Sequence, residues 1–330
     1  MGKIPFLKGS VAVLICTLAL LSCSSSESSR KRGPFSSLSK EWLETQKTSL
    51  EAIQHLAGNE QGMKIIFSNI EKISKEIKKP AKFAKLQHHR PKNRHEKFIP
   101  FDENRTCREL PGFYISGSDI YTPEQHYIVT QGPLNETVQD FWQALLHRKC
   151  KLIVTTTMHI EGGREKCASY WKKHLPTQVL DYTISLYSEK TLFEKPMGKG
   201  ELKHRIVKRV FAATSPDDKK YITQLHYENW PDLGVPDLET FLFLLKTIER
   251  MEISKNSPIT VHCSAGIGRS GTFVAAHSLW KKLRSEKKKD PSEIFINVPE
   301  RVMYLRTQRN YLVSTPQQLQ TVYQTLASEL

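Results

Sequence analysis

The segment VHCSAGIGRSGT (residues 261–272) combines a cysteine, a glycine-rich loop, an arginine and a hydroxyl residue. Residues 257–262 before the cysteine predict a short strand, and residues 271–283 predict a helix with an apolar face. The loop between them presents backbone N–H groups and the positive end of a helix dipole, both of which attract an anion. This field favours the thiolate form of Cys263, and Arg269 adds a planar fork of donors that matches two phosphate oxygens.

One loop thus offers a nucleophile beside an anion cradle, which predicts phosphoryl transfer through a cysteinyl-phosphate. A lone cysteine is more often a buried, inert thiol, but the glycines, Arg269 and Ser270 around Cys263 favour a catalytic one. No Lys-Ser or Lys-Thr pair follows the last glycine, so the segment is not a nucleotide-binding loop. The residues expected to hold the phosphate are Ser264, Ala265, Gly266, Ile267, Gly268 and Arg269.

This segment resembles the signature of the protein tyrosine phosphatases, which reads His-Cys, five residues, Arg and then Ser or Thr. The resemblance extends over several separated motifs and implies a catalytic domain at residues 93–330. Its implied fold class is α/β, with a twisted mixed β-sheet flanked by helices, and the alternation of strand-like and helical segments agrees with this. Strands are predicted at 151–158, 181–187, 206–213 and 221–227, and helices at 138–148, 238–251, 300–308 and 316–326.

The tripeptide Trp230-Pro231-Asp232 matches the mobile acid loop of that family. A phosphate ester leaves poorly unless its bridging oxygen is protonated, and a positioned carboxylic acid contributes ~10²–10⁴-fold to the rate. By the resemblance, Asp232 is this acid and later the base that activates water, and Trp230 is a hinge for loop closure.

The resemblance also implies supporting residues. Glu161 would pair with Arg269, and Lys166 would lie near Asp232, while His262 precedes the nucleophile in the signature. By the same resemblance, Ser270 would stabilise the departing thiolate, and Gln318 would orient the hydrolytic water. Because the cradle itself supplies positive charge, neither a metal nor another cofactor is expected. The expected partner is a phosphotyrosine-containing protein.

Three positions depart from the family pattern. His95 stands where a tyrosine usually stacks on the substrate ring, and it offers a smaller stacking surface. Lys97 replaces an acidic residue that often grips the peptide backbone, which favours an anionic substrate. Ser314 replaces the first of two glutamines, so we expect slower hydrolysis of the phosphoenzyme than in typical members.

Two alternatives to a tyrosine phosphatase stay open. The formal net charge of +15, with His95 and Lys97, motivates a phosphoinositide or dual-specificity phosphatase. A non-enzymatic phosphotyrosine-binding module that keeps the fold is less favoured, because Cys263, Arg269 and Asp232 are all present. Nucleic acid is not expected as a partner, since neither a zinc-finger spacing nor an RNA-binding signature occurs. The oligomeric state is left open.

The N-terminus predicts export. Two lysines precede an apolar run at 11–21 that is short for a membrane span, so residues 1–22 read as a signal peptide. The run ends in LLSC, which resembles the lipobox of bacterial lipoproteins and implies lipidation of Cys23 and membrane attachment. An ordinary secretory signal and an uncleaved anchor are the alternatives. Localisation is thus expected as a bacterial membrane-anchored lipoprotein or an exported protein.

The residues between this signal and the catalytic domain form two predicted parts. Residues 23–39 are rich in serine and basic residues and predict a flexible tether. Residues 40–92 predict a helical extension and a basic connector, with two helices broken near Gly58–Gly62. An exported protein with a reactive thiolate poses a redox problem, because an oxidising compartment attacks such a thiol.

Overall fold

The computed structural model describes residues 35–172, 176–198 and 200–330. The predicted signal peptide, Cys23 and most of the predicted tether lie outside the described residues. The helices are α1 (Ser37–Thr45), α2 (Leu50–Ala57), α3 (Glu60–Ser74), α4 (Val138–His147), α5 (Leu238–Glu249), α6 (Gly268–Glu286), α7 (Val298–Arg306) and α8 (Pro316–Ala327). The strands are β1 (Thr48–Ser49), β2 (Gly117–Tyr121), β3 (His126–Thr130), β4 (Leu152–Thr155), β5 (Ile160–Glu161), β6 (Arg164–Glu165), β7 (Thr177–Val179), β8 (Tyr182–Pro196), β9 (Lys203–Thr214), β10 (Lys219–Glu228), β11 (Ile259–His262) and β12 (Phe295–Ile296).

The N-terminal extension contains three helices where the sequence predicts two. α1 begins at Ser37, inside the predicted tether, because the side chain of Ser36 accepts a hydrogen bond from the backbone N–H of Ser39 and caps the helix. The extra break separates α1 from α2, where β1 pairs antiparallel with β12. The predicted break between the next two helices is confirmed, and Asn59 caps α3 there.

This extension packs into the main core. Ile53 and Ile70 are fully buried in the same apolar cluster as the residues of α6 and α7. Arg306 of α7 donates hydrogen bonds of 2.6 Å to the Glu71 carboxylate and 2.8 Å to the Ser74 hydroxyl, both on α3. The helices before the catalytic segment are therefore part of one folded unit with it.

Eight strands form one mixed sheet in the order β2-β3-β11-β4-β10-β9-β8-β7. The neighbours β3, β11, β4 and β10 run parallel, and the remaining pairs are antiparallel. Helices flank this mixed sheet, and three further helices precede it in the sequence. The predicted α/β fold class is therefore confirmed. The sequence did not predict β2, β3 or β7, and the strand predicted at 181–187 covers less than half of β8.

The four parallel strands position the functional loops. His262 at the end of β11 lies level with Thr130 at the end of β3 and Thr155 at the end of β4. The carboxyl ends of these strands therefore share one edge, which is where open α/β sheets bind ligands. The predicted nucleophile, the acid loop and the segment bearing Glu161 all follow strands of this group.

α6 follows the cysteine loop and runs through the interior. Nearly every residue from Gly268 to Leu283 is buried, as expected for a helix that is enclosed on all sides. It begins at Gly268, before the predicted start at residue 271, because its first turn forms part of the loop. Among the described residues, no helix is both long and apolar enough to cross a membrane.

We expect Ile70→Ala to destabilise the protein by about 2–5 kcal/mol, because it removes a fully buried side chain between the extension and the catalytic core. Ile65→Ala is the matched control, since Ile65 lies on the same helix with 41% of its surface exposed. Urea unfolding measures both. Equal, small losses for the two variants would contradict the packing of α3 on the core.

Candidate active site

The cysteine loop wraps around the sulfur of Cys263. This thiol lies at the carboxyl end of β11 and is buried, and the backbone N–H of Gly266 donates to its Sγ at 3.3 Å. Gly266 has φ +69°, and a Cβ there would meet the Thr130 carbonyl oxygen at 2.2 Å. Only glycine fits this position, which explains why the loop is glycine-rich.

Arg309 holds the loop from behind. Its Nε donates to the Gly266 carbonyl at 2.8 Å, and its Nη1 donates to the Ser118 hydroxyl at 3.1 Å. Burial lowers the pKa of Arg309 to about 10, so it remains charged at neutral pH. The resemblance includes Arg309 in the last motif of the family but gives it no role. An arginine is ordinarily exposed, and only the fold shows that this one is 1% exposed.

Arg269 lies at the start of α6 and is also 1% exposed. Its Nη1 donates to the Glu161 carboxylate at 2.7 Å and to the Trp230 carbonyl at 2.9 Å, and its Nη2 donates to Asp232 at 3.2 Å. Burial acts to lower the pKa of Arg269, but the negative groups Cys263, Glu161 and Asp232 raise it above its usual value. The Nε has no hydrogen-bond partner among the described residues.

Hydrogen bonds fix the Glu161 carboxyl group in place. Its Oε1 accepts hydrogen bonds from the Thr157 hydroxyl at 2.8 Å and the Met158 backbone N–H at 3.0 Å. A carboxylate held this way keeps the guanidinium of Arg269 in one orientation. The structure therefore contains the Glu161–Arg269 contact that the resemblance implies.

The acid loop is folded over the site. Lys166 donates to Asp232 at 2.6 Å, and the Trp230 indole N–H donates to the Gly234 carbonyl at 3.1 Å, within the same loop. Burial acts to raise the pKa of Asp232, but the hydrogen bond from Lys166 and the charges of Arg269 and Lys166 outweigh it, so the pKa lies below its usual value. Asp232 is consequently a carboxylate at neutral pH in the free protein.

Gln318 links α8 to this acid loop. Its Nε2 donates to the Gly234 carbonyl at 3.3 Å, and its Oε1 accepts from the Ser314 backbone N–H at 2.9 Å. The Ser314 hydroxyl donates to the Tyr311 carbonyl at 3.0 Å. Residue 314, where the family pattern has a glutamine, is thus a short serine whose hydroxyl bonds within its own loop.

His262 immediately precedes Cys263, Ser270 follows Arg269 on α6, and both side chains are buried. Burial lowers the pKa of His262 to about 4, so the ring is neutral, and its Nε2 lies 2.7 Å from the Tyr170 hydroxyl. The Ser270 hydroxyl has no hydrogen-bond partner in the part of the chain that the structure describes. A buried hydroxyl is costly when unpaired, which fits a group that serves a bound ligand or a thiolate.

One cleft of about 370 Å³ is lined by Cys263, Arg269, Asp232 and Gln318, and His95 also forms part of its wall. The His95 ring meets Phe98 edge-on with 5.5 Å between ring centres, and Phe98 meets Tyr311 in the same way at 5.4 Å. Burial and the charge of Arg94 lower the pKa of His95, so its ring is neutral at neutral pH. A wall of neutral rings therefore borders the phosphate cradle.

Comparison with known proteins agrees with this geometry. A family model described as protein-tyrosine phosphatase matches residues 89–328. The putative receptor-type tyrosine-protein phosphatase mosPTP-1 of Aedes aegypti is 32% identical over 261 residues, or 76% of this chain and 19% of that protein. Receptor-type tyrosine-protein phosphatase C of Mus musculus is 32% identical over 257 residues, or 75% of this chain and 19% of that protein. The chain thus spans about a fifth of the length of these relatives.

A solved structure, PTPN18 in complex with HER2-pY1196 phosphopeptides, has a TM-score of 0.72 to this fold. The two chains are 28% identical, and the match covers 88% of this chain and 98% of the solved one. The similarity therefore includes the helices before residue 89 as well as the segment matched by the family model.

Lys166→Gln is expected to raise the pKa of Asp232. Burial already acts in that direction, and the substitution removes the hydrogen bond that most strongly opposes it. Carbon-13 NMR titration of the carboxyl groups, with Asp232→Asn to identify the resonance, measures the change. Lys64→Gln, at an exposed position on α3, is the control. An unchanged or lower pKa in Lys166→Gln would mean that the Lys166–Asp232 contact does not exist in solution.

Proposed function

The chain belongs to the protein-tyrosine phosphatase family, and on this premise we propose that it hydrolyses phosphotyrosine in proteins through a cysteinyl-phosphate intermediate. One observation carries the proposal: Cys263, Arg269 and Asp232 all line a single cleft, at the shared edge of the parallel strands. The cleft thus offers a nucleophile, an anion cradle and an acid to one substrate.

Substrate binding begins with the phosphate dianion at Arg269. Nη1 is committed to Glu161 and to the Trp230 carbonyl, so the edge formed by Nε and Nη2 is the one that can accept two phosphate oxygens. The phosphate displaces Asp232 from Nη2. The backbone N–H groups of the loop and the start of α6 complete the cradle.

The chemical step forms a sulfur–phosphorus bond and breaks the bond between phosphorus and the tyrosyl oxygen. Cys263 attacks in line, and Asp232 donates a proton to the leaving oxygen. The carboxylate of the free protein can hold this proton because the bound dianion offsets the positive charge of Arg269 that lowers its pKa. Protonation during bond cleavage is what makes the phenol a competent leaving group.

Hydrolysis of the intermediate needs an oriented water. We assign the orienting role to Gln318, as the resemblance implies, and Asp232, now ionised, takes the proton of the water. The Gln318 amide is engaged by Gly234 and Ser314 in the free protein, so it must be released first. Ser314 offers little help, because its hydroxyl bonds the Tyr311 carbonyl. We therefore retain slow phosphoenzyme hydrolysis as part of the proposal.

Cys263→Ser is expected to abolish hydrolysis of a phosphotyrosine peptide while leaving peptide binding detectable by calorimetry, because a neutral hydroxyl is a poor nucleophile. The matched control is Cys150→Ser, since Cys150 is a buried thiol whose contacts to Leu152 and Thr260 a hydroxyl can keep. Turnover by Cys263→Ser would refute the nucleophile. Binding without turnover in the unmodified protein would support the non-enzymatic module instead.

Asp232→Asn is expected to lower kcat/KM, which reports the steps up to formation of the phosphoenzyme, by ~10²–10⁴-fold on phosphotyrosine, because no proton reaches the leaving oxygen. The loss should shrink on a dinitrophenyl phosphate, whose leaving group needs no proton. Steady-state assays on both substrates measure this. Equal losses on the two would contradict an acid role for Asp232.

A phosphoinositide or dual-specificity substrate is the second candidate, and one observation favours it. A cleft of about 400 Å³ is lined by Lys85, Arg90 and Lys97, with Glu96 as the acidic residue in its wall. Lys97 lies 5.2 Å from the centre of the Tyr311 ring, which packs against Phe98 at the border of the catalytic cleft. A substrate with further negative charge next to its reacting phosphate would be attracted by these cations.

Values of kcat/KM on phosphotyrosine peptides, phosphoserine peptides and phosphoinositides separate the two candidates. We expect phosphotyrosine to be preferred, with acidic peptides better than neutral ones, and Lys97→Gln to remove the preference for acidic flanks. Lys64→Gln should not. A higher kcat/KM on a phosphoinositide, or on phosphoserine, would replace the proposed substrate.

We further propose that the protein is exported and anchored through lipid on Cys23. The support is the sequence alone: a short apolar run, then LLSC, then serines. Phosphotyrosine proteins outside the producing compartment would then be the substrates. The thiols at positions 107, 150, 167 and 263 are free and buried, and burial limits the access of oxidants.

Mass spectrometry of the N-terminal peptide, made from the full-length gene in a bacterial host, tests this proposal. The expected result is a chain that starts at Cys23 with a diacylglycerol mass, and Cys23→Ala should lose the lipid and leave the membrane fraction. A chain that retains residues 1–22, or one cut elsewhere without lipid, would contradict the anchor.

A further inference from the structure

Three side chains with metal-binding groups meet outside the catalytic cleft: Cys107, Glu109 and His147. One thiol sulfur, one carboxylate oxygen and one imidazole nitrogen all lie within 4.8 Å of one another. Cys107 and Glu109 belong to the segment before β2, and His147 ends α4. These residues are called the thiol cluster below.

The thiol cluster is already partly assembled. His147 Nε2 lies 2.8 Å from Glu109 Oε1, so two of the three groups are in hydrogen-bond contact. Cys107 is fully buried and has a positive φ of 58°, a backbone conformation that non-glycine residues rarely adopt. The fold therefore holds the sulfur in place, while the side chains of Glu109 and His147 are 45% and 37% exposed and can adjust.

The chemistry of the donor set matches zinc. Thiolate, imidazole and carboxylate are the three ligand types that zinc takes, at about 2.0–2.3 Å each. These bond lengths bring tetrahedral ligand atoms roughly 3.5 Å apart. The 2.8 Å contact between His147 and Glu109 would lengthen to this value, and any separation near the 4.8 Å limit would shorten. Three protein ligands leave a fourth position for water.

Charge balance also permits a divalent cation there. The Arg148 guanidinium is the cation in contact with the cluster, at 3.6 Å from Glu109, and it is paired with Asp119 as well. Two positive charges from the metal and one from Arg148 would meet the carboxylates of Glu109 and Asp119 and the thiolate of Cys107. The sum over these groups is zero, so none of the charges would be left without compensation.

We propose that Cys107, Glu109 and His147 form a zinc-binding site separate from the active site. Binding forms a metal–sulfur bond and releases the thiol proton of Cys107 to solvent, with no change of oxidation state. The metal ties the segment before β2 to the end of α4. That helix carries Phe141, whose ring meets the His262 ring edge-on at 5.8 Å, so the site supports the scaffold without touching the nucleophile.

The test uses the full chain carrying Cys263→Ser, which removes the catalytic thiolate as a competing ligand. Metal-free protein is titrated with Cd²⁺ as a spectroscopic probe and with Zn²⁺. Elemental analysis after gel filtration gives the metal bound per chain. The near-ultraviolet charge-transfer band reports a thiolate ligand, and thermal unfolding reports stabilisation, because a ligand that binds only the folded state raises Tm.

We expect one metal per chain, a thiolate–cadmium band and a raised Tm. His147→Ala and Glu109→Gln change exposed side chains, so they should fold, and each should weaken binding by about tenfold or more. Cys107→Ser should lose the band. His55→Ala, which removes an exposed histidine on α2, should change nothing.

Three results would overturn the site. These are no metal bound at micromolar concentrations, a band that persists in Cys107→Ser, and equal affinity in His147→Ala and His55→Ala. Should Cys107→Ser fail to fold, the two exposed-residue variants still decide the matter.

Discussion

The buried guanidinium of Arg269 is the interaction on which the active site depends. It joins the first turn of α6 to Glu161 on the β5–β6 hairpin and to Trp230 and Asp232 on the loop after β10. Leaving one member of a buried ion pair without its partner costs about 3–5 kcal/mol. One side chain therefore fixes three segments that lie far apart in the sequence, and in the proposed mechanism its remaining edge binds the phosphate.

The sheet makes this convergence possible. Because β3, β11, β4 and β10 are parallel, the loops that follow them leave from one edge, and the loops after β11, β4 and β10 carry Cys263, Glu161 and Asp232. Arg309 then supports the cysteine loop through hydrogen bonds to the carbonyl oxygens of Gly266 and Ala265. Both arginines are withdrawn from water, and each donates hydrogen bonds to fixed oxygens, while the Nε of Arg269 has no partner among the described residues. The cradle is thus organised before any substrate arrives, which is what electrostatic catalysis requires.

Much of the site could be predicted from the sequence, because short motifs carry it. Cys263 lies in one run of consecutive motif residues and Asp232 in another, so each motif can be found in the sequence. The contacts of Glu161 and Lys166 then follow from the family resemblance. The break before α2 could not be predicted, since it depends on two residues that pair with β12. Strands β2 and β3 carry polar residues, such as Ser118 and Asp119, that are buried only in the fold.

Two further features, the role of Arg309 and the thiol cluster, could not be predicted from the sequence. Arg309 looks like a surface charge until its carbonyl partners are seen, and the thiol cluster unites residues from two separate segments. Sequence spacing cannot show either. By contrast, Ile53 and Ile70 each belong to a helical spacing of apolar residues that the sequence shows. Only the surface on which they pack, the catalytic core, required the structure.

The covalent intermediate at Cys263 is the central claim, and rapid acid quenching during turnover tests it most directly. The quenched protein is digested and the peptide that contains Cys263 is weighed by mass spectrometry. We predict one added phosphoryl group on that peptide, in a large fraction of the chains because Ser314 slows its hydrolysis. Product release without any phosphoryl group on Cys263, at the shortest quench times, would contradict the account.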